Sequence, residues 1–110
     1  MLIDIHTEIV TKGYLKRLLA MQGVPRMEKR ADNYALFYSE GQSYPVDKRM
    51  YDMPTRLEEM KKCGMDIEVL GLVMPGVDMF ERNLALEMAK EVNDEISEIT
   101  SGSKNFLGLA

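Results

Sequence analysis

Apolar and polar positions alternate at the start of the chain. Leu2, Ile3 and Ile5 stand among Asp4, His6 and Glu8, and this period of two predicts a strand over Leu2 to Glu8. The same alternation places Asp4, His6 and Glu8 on one face, with Ile3 and Ile5 pointing into an opposite apolar layer. "TKGYLKRLLAMQG" changes to helical spacing, with Tyr14, Leu15, Leu18 and Leu19 as its stripe and Gly23 with Pro25 closing it. "VPRMEKRAD" is polar and reads as a loop. "YALFYSEGQSYPVD" holds two β-prone runs around Glu40 and Gly41, a hairpin pattern. Pro45 in its second run cannot donate a ladder hydrogen bond, which predicts an edge strand.

The second half is punctuated more sharply. In "YDMPTRLEEMKKCG", Asp52 can cap a helix, Pro54 fits the first turn and Gly64 ends it. Leu57, Met60 and Cys63 share one side of that helix. "DIEVLGLVMPG" is a nearly continuous apolar run, the pattern of a strand covered on both faces. "NLALEMAKEVNDEISEIT" is the longest helix, with Ala85, Met88, Ala89, Val92, Ile96 and Ile99 at helical spacing and Gly102 stopping it. "NFLGLA" begins another buried strand. Strands alternating with amphipathic helices predict an α/β fold with parallel pairing through right-handed crossovers. The strand at Ile67 to Val73 is expected beside the first strand, with "NFLGLA" beside the second. The whole reads as the opening portion of a larger sheet.

Composition narrows the function classes. The chain has 110 residues and a net charge of −4, and its length allows one domain at most. No basic block stands out, which argues against nucleic acid and against anionic membrane surfaces. The longest apolar stretch, Val69 to Pro75, is far too short to span a bilayer. No cationic segment precedes an apolar core near the start, so no secretory signal is expected. Cys63 is the sole cysteine; an internal disulfide is impossible and a cytoplasmic location is expected. The ten methionines read as adaptable core filler or interface.

Candidate chemistry concentrates in His6 and Glu8. Residues two apart on a strand point the same way with Cα atoms roughly 6.5–7 Å apart, so both side chains can converge on one ion. A polar strand end is the simpler alternative. Cys63, in a helix seam, reads as buried packing, and Arg49 as a solvated loop residue. The Glu58, Glu59, Lys61 and Lys62 group reads as a solvated helix face. Asp94 has no partner that the sequence names. Met74, Met79 and Phe80 either line a pocket or pack under the following helix, with packing favoured.

"IDIHTEIV" resembles the first strand of the aminocarboxymuconate-semialdehyde decarboxylase-like group of the amidohydrolase superfamily, whose usual form is Asp-Ile-His-x-His. The resemblance runs on through "YDMPTRLEEMKKCGMDIEVLGLVMPG", "ALEMAKEVNDEISEI" and "NFLGLA", in order and over nearly the whole chain. It implies a (β/α)₈ barrel, a fold of about 250 residues. Residues 1–110 are then a single N-terminal segment, an incomplete TIM barrel of about three strands with a hairpin insertion between strands one and two.

The resemblance also implies a divalent metal, zinc in the family's usual form, with His6 at the first ligand position. Glu8 stands where the family has its second histidine, and its carboxylate admits manganese as well. The histidine and aspartate that complete such a site would lie beyond residue 110. Arg49 lies near the family's substrate-contacting basic residues, on a loose local match. The implied function is the N-terminal part of a metal-dependent decarboxylase or hydrolase of a small carboxylated or cyclic substrate, inactive alone. The alternative is a short non-catalytic subunit or binding module derived from that family. Either way the open strand edges call for the remainder of a barrel or an oligomeric partner.

Overall fold

The structure is a computed structural model, and it describes residues 1–109. Strand β1 (Ile3–Ile9) runs into helix α1 (Lys12–Leu19), which Thr11 caps by accepting from the Tyr14 N–H. Tyr14 and Leu18 are its buried residues, while Leu19 is 42% exposed. The helix therefore ends before Gly23, with Ala20 as its C-cap.

Three short strands follow: β2 (Arg26–Lys29), β3 (Tyr34–Ser39) and β4 (Gln42–Val46). They form an antiparallel sheet in the order β2-β3-β4. The hairpin around Gly41 is as expected, and Pro45 sits on the edge strand opposite Ala35. Strand β2 corrects the reading of "VPRMEKRAD" as a loop. Its single apolar residue, Met27, is 2% exposed, while Arg26 and Glu28 alternate to the opposite face and Lys29, on the side of Met27, lies opposite Tyr34. The Arg26 and Arg30 guanidiniums lie 4.4 and 5.6 Å from the Phe37 ring centre, and the Lys29 ammonium 4.5 Å from that of Tyr34. Such cation–π contacts let a polar tetrapeptide hold a strand against aromatic neighbours.

Helix α2 (Lys48–Tyr51) leads into α3 (Met53–Cys63). Asp52 caps α3 by accepting from the Thr55 N–H, with Pro54 in the first turn. Gly64 ends it at φ 72°, the left-handed conformation that glycine adopts without a Cβ clash. Strand β5 (Ile67–Leu72), helix α4 (Arg82–Ser101) and strand β6 (Phe106–Gly108) complete the described chain. Ala110, the end of the expected "NFLGLA" strand, lies outside the described residues.

The second sheet is parallel, in the order β1-β5-β6, as the pattern predicts. Helix α4 packs straight onto it: a Cβ at Gly108 would stand 2.5 Å from Ile96 Cγ2. Ile9, Leu70 and Phe106 join Met60 of α3 and Met88, Val92 and Ile96 of α4 in one buried core. The opposite face is bare among the described residues. Ile3, Leu107 and Leu109 are 50%, 54% and 55% exposed there.

The register of β1 on β5 slips. Asp4 pairs with Glu68, but Thr7 pairs with Leu70. Three steps on β1 therefore match two on β5, a bulge. Partnered residues of parallel strands project to the same face, so Asp4 falls on the helix-covered side of Glu68 and Leu70. Glu8, paired with Gly71, falls on the bare side with Ile3. The expected common face of Asp4, His6 and Glu8 is corrected accordingly. So is the apolar layer for Ile3 and Ile5, because Ile5 is 76% exposed and no described element covers it.

The left-handed cap of α3 makes a first prediction. Gly64→Ala should destabilise the chain by about 1 kcal/mol, read as a lowered midpoint in thermal or urea unfolding. An unchanged midpoint would show that the cap does not hold the α3–β5 turn.

Candidate metal site

The bulge turns the end of β1 outward. His6 donates its backbone N–H to Asp4 Oδ1 at 3.0 Å, which fixes the turn locally. Thr7 points inward and donates its hydroxyl to the Val69 carbonyl at 2.8 Å. Between these anchors the side chains of His6 and Glu8 converge, with Nε2 and Oε1 4.0 Å apart. Two ligands on one zinc at about 2.1 Å and a tetrahedral angle would be about 3.4 Å apart. Small side-chain rotations close that difference, and both groups are free to make them, at 84% and 46% exposed.

An imidazole nitrogen and a carboxylate oxygen suit zinc or manganese. They are two donors, whereas catalytic zinc usually takes three from protein. Among the described residues no group of three or more histidine, cysteine, aspartate or glutamate side chains is placed to hold an ion. The pair fits a part of a divalent-metal site.

The free edge of β1 beside this pair is tied down. Val10 N–H donates to the Met50 carbonyl at 2.8 Å. The Arg56 guanidinium, on α3, donates Nε to Glu68 Oε2, and Nη1 to the carbonyls of Arg49 at 3.0 Å and Glu8 at 3.4 Å. Arg56 and Glu68 are 11% and 12% exposed, a nearly buried pair. Around them runs a groove of about 380 Å³ whose lining includes Glu8, Arg49, Arg56, Glu59, Cys63 and Glu68.

Comparison with known proteins agrees with the sequence motifs. The chain is 28% identical over 112 aligned residues to 2-amino-3-carboxymuconate-6-semialdehyde decarboxylase of Dictyostelium discoideum, covering 97% of this chain and 31% of that protein. Its fold matches the crystal structure of Metarhizium anisopliae IDCase in apo form with a TM-score of 0.86, over 100% of this chain and 34% of IDCase, at 21% identity. The chain thus spans about a third of the length of each. No family model matches it. The chain is thus similar, over nearly its whole length, to a part of a 2-amino-3-carboxymuconate-6-semialdehyde decarboxylase.

Two groups near the pair escaped the sequence reading. Arg56 looked like any polar position of an exposed helix face, because only the folded crossover brings it to Glu8. Tyr44 looked like a hairpin residue. Its hydroxyl donates to the Met74 carbonyl, while Tyr14 donates to the Gly76 carbonyl at 2.7 Å. Together they hold the loop that follows β5. Burial pushes both phenols above their ordinary range, with the Glu8 charge adding to the effect at Tyr44 and Tyr44 adding to it at Tyr14.

Other candidates fall into place. Cys63 is exposed at the last turn of α3 and lines the groove, which corrects its expected burial. A helix terminus has no following turn to cover it. Arg49 lies on α2 rather than in a loop. It pairs with Asp47 at 2.8 Å and is 61% exposed, and it holds the Asp47 carboxyl below the usual range. Lys62 and Glu59 pair at 3.5 Å on the solvated face of α3. Asp94 is exposed. Phe80 packs against the core, while Met74 and Met79 stand 56% and 52% exposed beside it.

The tyrosine clamps give a pH prediction. A phenol raised in the folded state contributes stability that is intact below its unfolded value of about 10 and is lost as pH rises beyond it. Stability should therefore fall above pH 10, and the Tyr14→Phe/Tyr44→Phe chain should show a shallower fall over that range in urea unfolding. Equal slopes would show that these two phenols do not carry the effect.

Proposed function

We propose that residues 1–110 form a single segment of an amidohydrolase-type (β/α)₈ barrel, contributing its first three parallel strands and an inserted small sheet. The whole enzyme acts as a metal-dependent decarboxylase or hydrolase on a small carboxylated or cyclic substrate. The observation that carries this reading is the placement of His6 and Glu8 at the C-terminal end of β1 in a parallel β1-β5-β6 sheet. Barrel enzymes gather their reacting groups at that end of the strands. The decarboxylase named for the Dictyostelium relative supports a carboxylated substrate.

In this reading His6 and Glu8 supply two ligands to a divalent ion, zinc or manganese. Such an ion polarises a substrate oxygen or lowers the pKa of bound water. His6 contributes a neutral imidazole, and Glu8 a charged oxygen that balances part of the ion's charge. The bulge and the Val10–Met50 hydrogen bond hold both at one height of the strand. The loop clamped by Tyr44 and Tyr14 borders the same end and shapes access to it. The remaining ligands come from outside these residues.

A second reading rests on a specific observation: among the described residues no third ligating group is placed beside His6 and Glu8, and Glu8 stands where the resemblance implies a histidine. It makes the chain a non-catalytic subunit or binding module of the same descent, whose open strand edges take a partner chain. The two readings separate in the product of the complete gene. His6→Ala should abolish decarboxylation or hydrolysis in the enzyme and leave partner binding intact in the module.

The 110-residue chain alone should bind zinc weakly in calorimetric titration, and the His6→Ala chain should not bind it at this site. It should also self-associate in sedimentation, because its parallel sheet has open edges. Tight zinc binding lost with His6→Ala would mean that further ligands come from within the chain or across an oligomer. A well-behaved monomer would count against the barrel-segment reading.

A further inference from the structure

We infer that Arg56 is a positioning residue for the His6–Glu8 pair, acting through the main chain of Glu8. This inference rests on the metal reading above. The guanidinium sits 11% exposed and reaches three elements at once: the Glu68 carboxylate on β5, the Arg49 carbonyl on α2 and the Glu8 carbonyl on β1. Its planar fork of donors has the shape for this, and a lysine ammonium, a point charge, does not.

The geometry is specific about what is held. Arg56 meets Glu8 at its carbonyl, so the Glu8 side chain stays directed to His6. Its donor distance of 3.4 Å to that carbonyl is long, but the contact does not act alone. Arg49 O, at 3.0 Å, belongs to the same short helix whose Met50 carbonyl accepts from Val10 N–H. The edge of β1 is therefore fixed on both sides of Ile9, by α2 at Val10 and by Arg56 at Glu8, with Arg56 itself tied to α2. The bulge places an unpaired residue just before this point, and a bulged strand end with no neighbour on its free edge needs such a brace. Glu68 completes the arrangement by fixing the guanidinium plane.

The test uses the single histidine of the chain as its reporter. Cobalt(II) alone is titrated into the 110-residue chain, and the shift of the His6 imidazole C2 proton is followed by NMR. Stability is measured in parallel by thermal unfolding. In the Arg56→Lys chain the cobalt midpoint should rise at least about tenfold, the scale expected when a group that orients metal ligands is lost. Glu68→Gln keeps an oxygen acceptor for Nε and leaves the carbonyl contacts, so its midpoint should stay within about threefold of the parent while its stability falls. A purely structural role for Arg56 would lower stability in both variants and leave both midpoints unchanged, which overturns the inference and leaves the metal reading standing. Absence of any cobalt effect on His6 in the parent chain overturns the metal reading, and this inference with it. Should the lysine variant not fold, Arg56→Gln is read by the same criterion.

Discussion

The pairing of β1 with β5 is the constraint on which the remaining structure depends. It joins chain positions far apart, as in the pairing of Ile3 with Ile67. A parallel pair requires a crossover between its strands, and here the crossover contains α1, the small antiparallel sheet, α2 and α3. Each of these must fit in the space between the end of β1 and the start of β5. The loop-closure entropy of that long connection is unfavourable before any of its contacts form, so the buried side chains of the pair must offset it. Thr7, Ile9 and Leu70 are 8%, 0% and 0% exposed and supply that burial together with Phe106 of β6 and with α3 and α4.

The same pairing divides the sheet into two unlike faces. One is closed by helices and carries the core. The other leaves Ile3, Leu107 and Leu109 at least half exposed, although parallel sheets are ordinarily covered on both sides. The bulge between Asp4 and Thr7 decides which polar groups go where. Without the extra residue Glu8 would lie on the face of Asp4, among the helices, where an unpaired carboxylate would be costly to bury. With it, Glu8 turns to the open face, where it can meet His6 and solvent. A one-residue register change thus separates a buried charge from an exposed carboxylate beside His6.

Much of this was legible along the chain, for reasons that differ by element. Asp52, Pro54 and Gly64 mark α3 because cap chemistry is local: each acts within a turn of its own position. The parallel order of β1, β5 and β6 followed from alternation of apolar runs with amphipathic helices, and from a resemblance covering nearly the whole chain. Strand β2 was not legible, because "RMEK" has one apolar residue and takes its conformation from β3. The bulge was not legible either, since alternation assumes that every residue advances the register by one. Arg56 and Tyr44 lie far from Glu8 in sequence, and no local pattern connects them. Cys63 was misplaced because its seam is helical only up to the residue where the helix stops.

The charges around Glu8 suggest why a carboxylate is tolerable at that position. Arg56 is matched by Glu68, and Arg49 by Asp47. Arg56 meets Glu8 through the backbone carbonyl and not through the carboxylate. Among the described residues, the one basic group within ion-pair range of the Glu8 carboxylate is therefore His6, 4.0 Å away and charged only when protonated. With His6 neutral, as metal ligation requires, the two side chains together carry one negative charge that neither arginine cancels. That local excess is what the proposed divalent ion would balance. A histidine at position 8 would carry no such charge: in general a carboxylate trades donor softness for electrostatic attraction and suits harder ions such as manganese better than imidazole does.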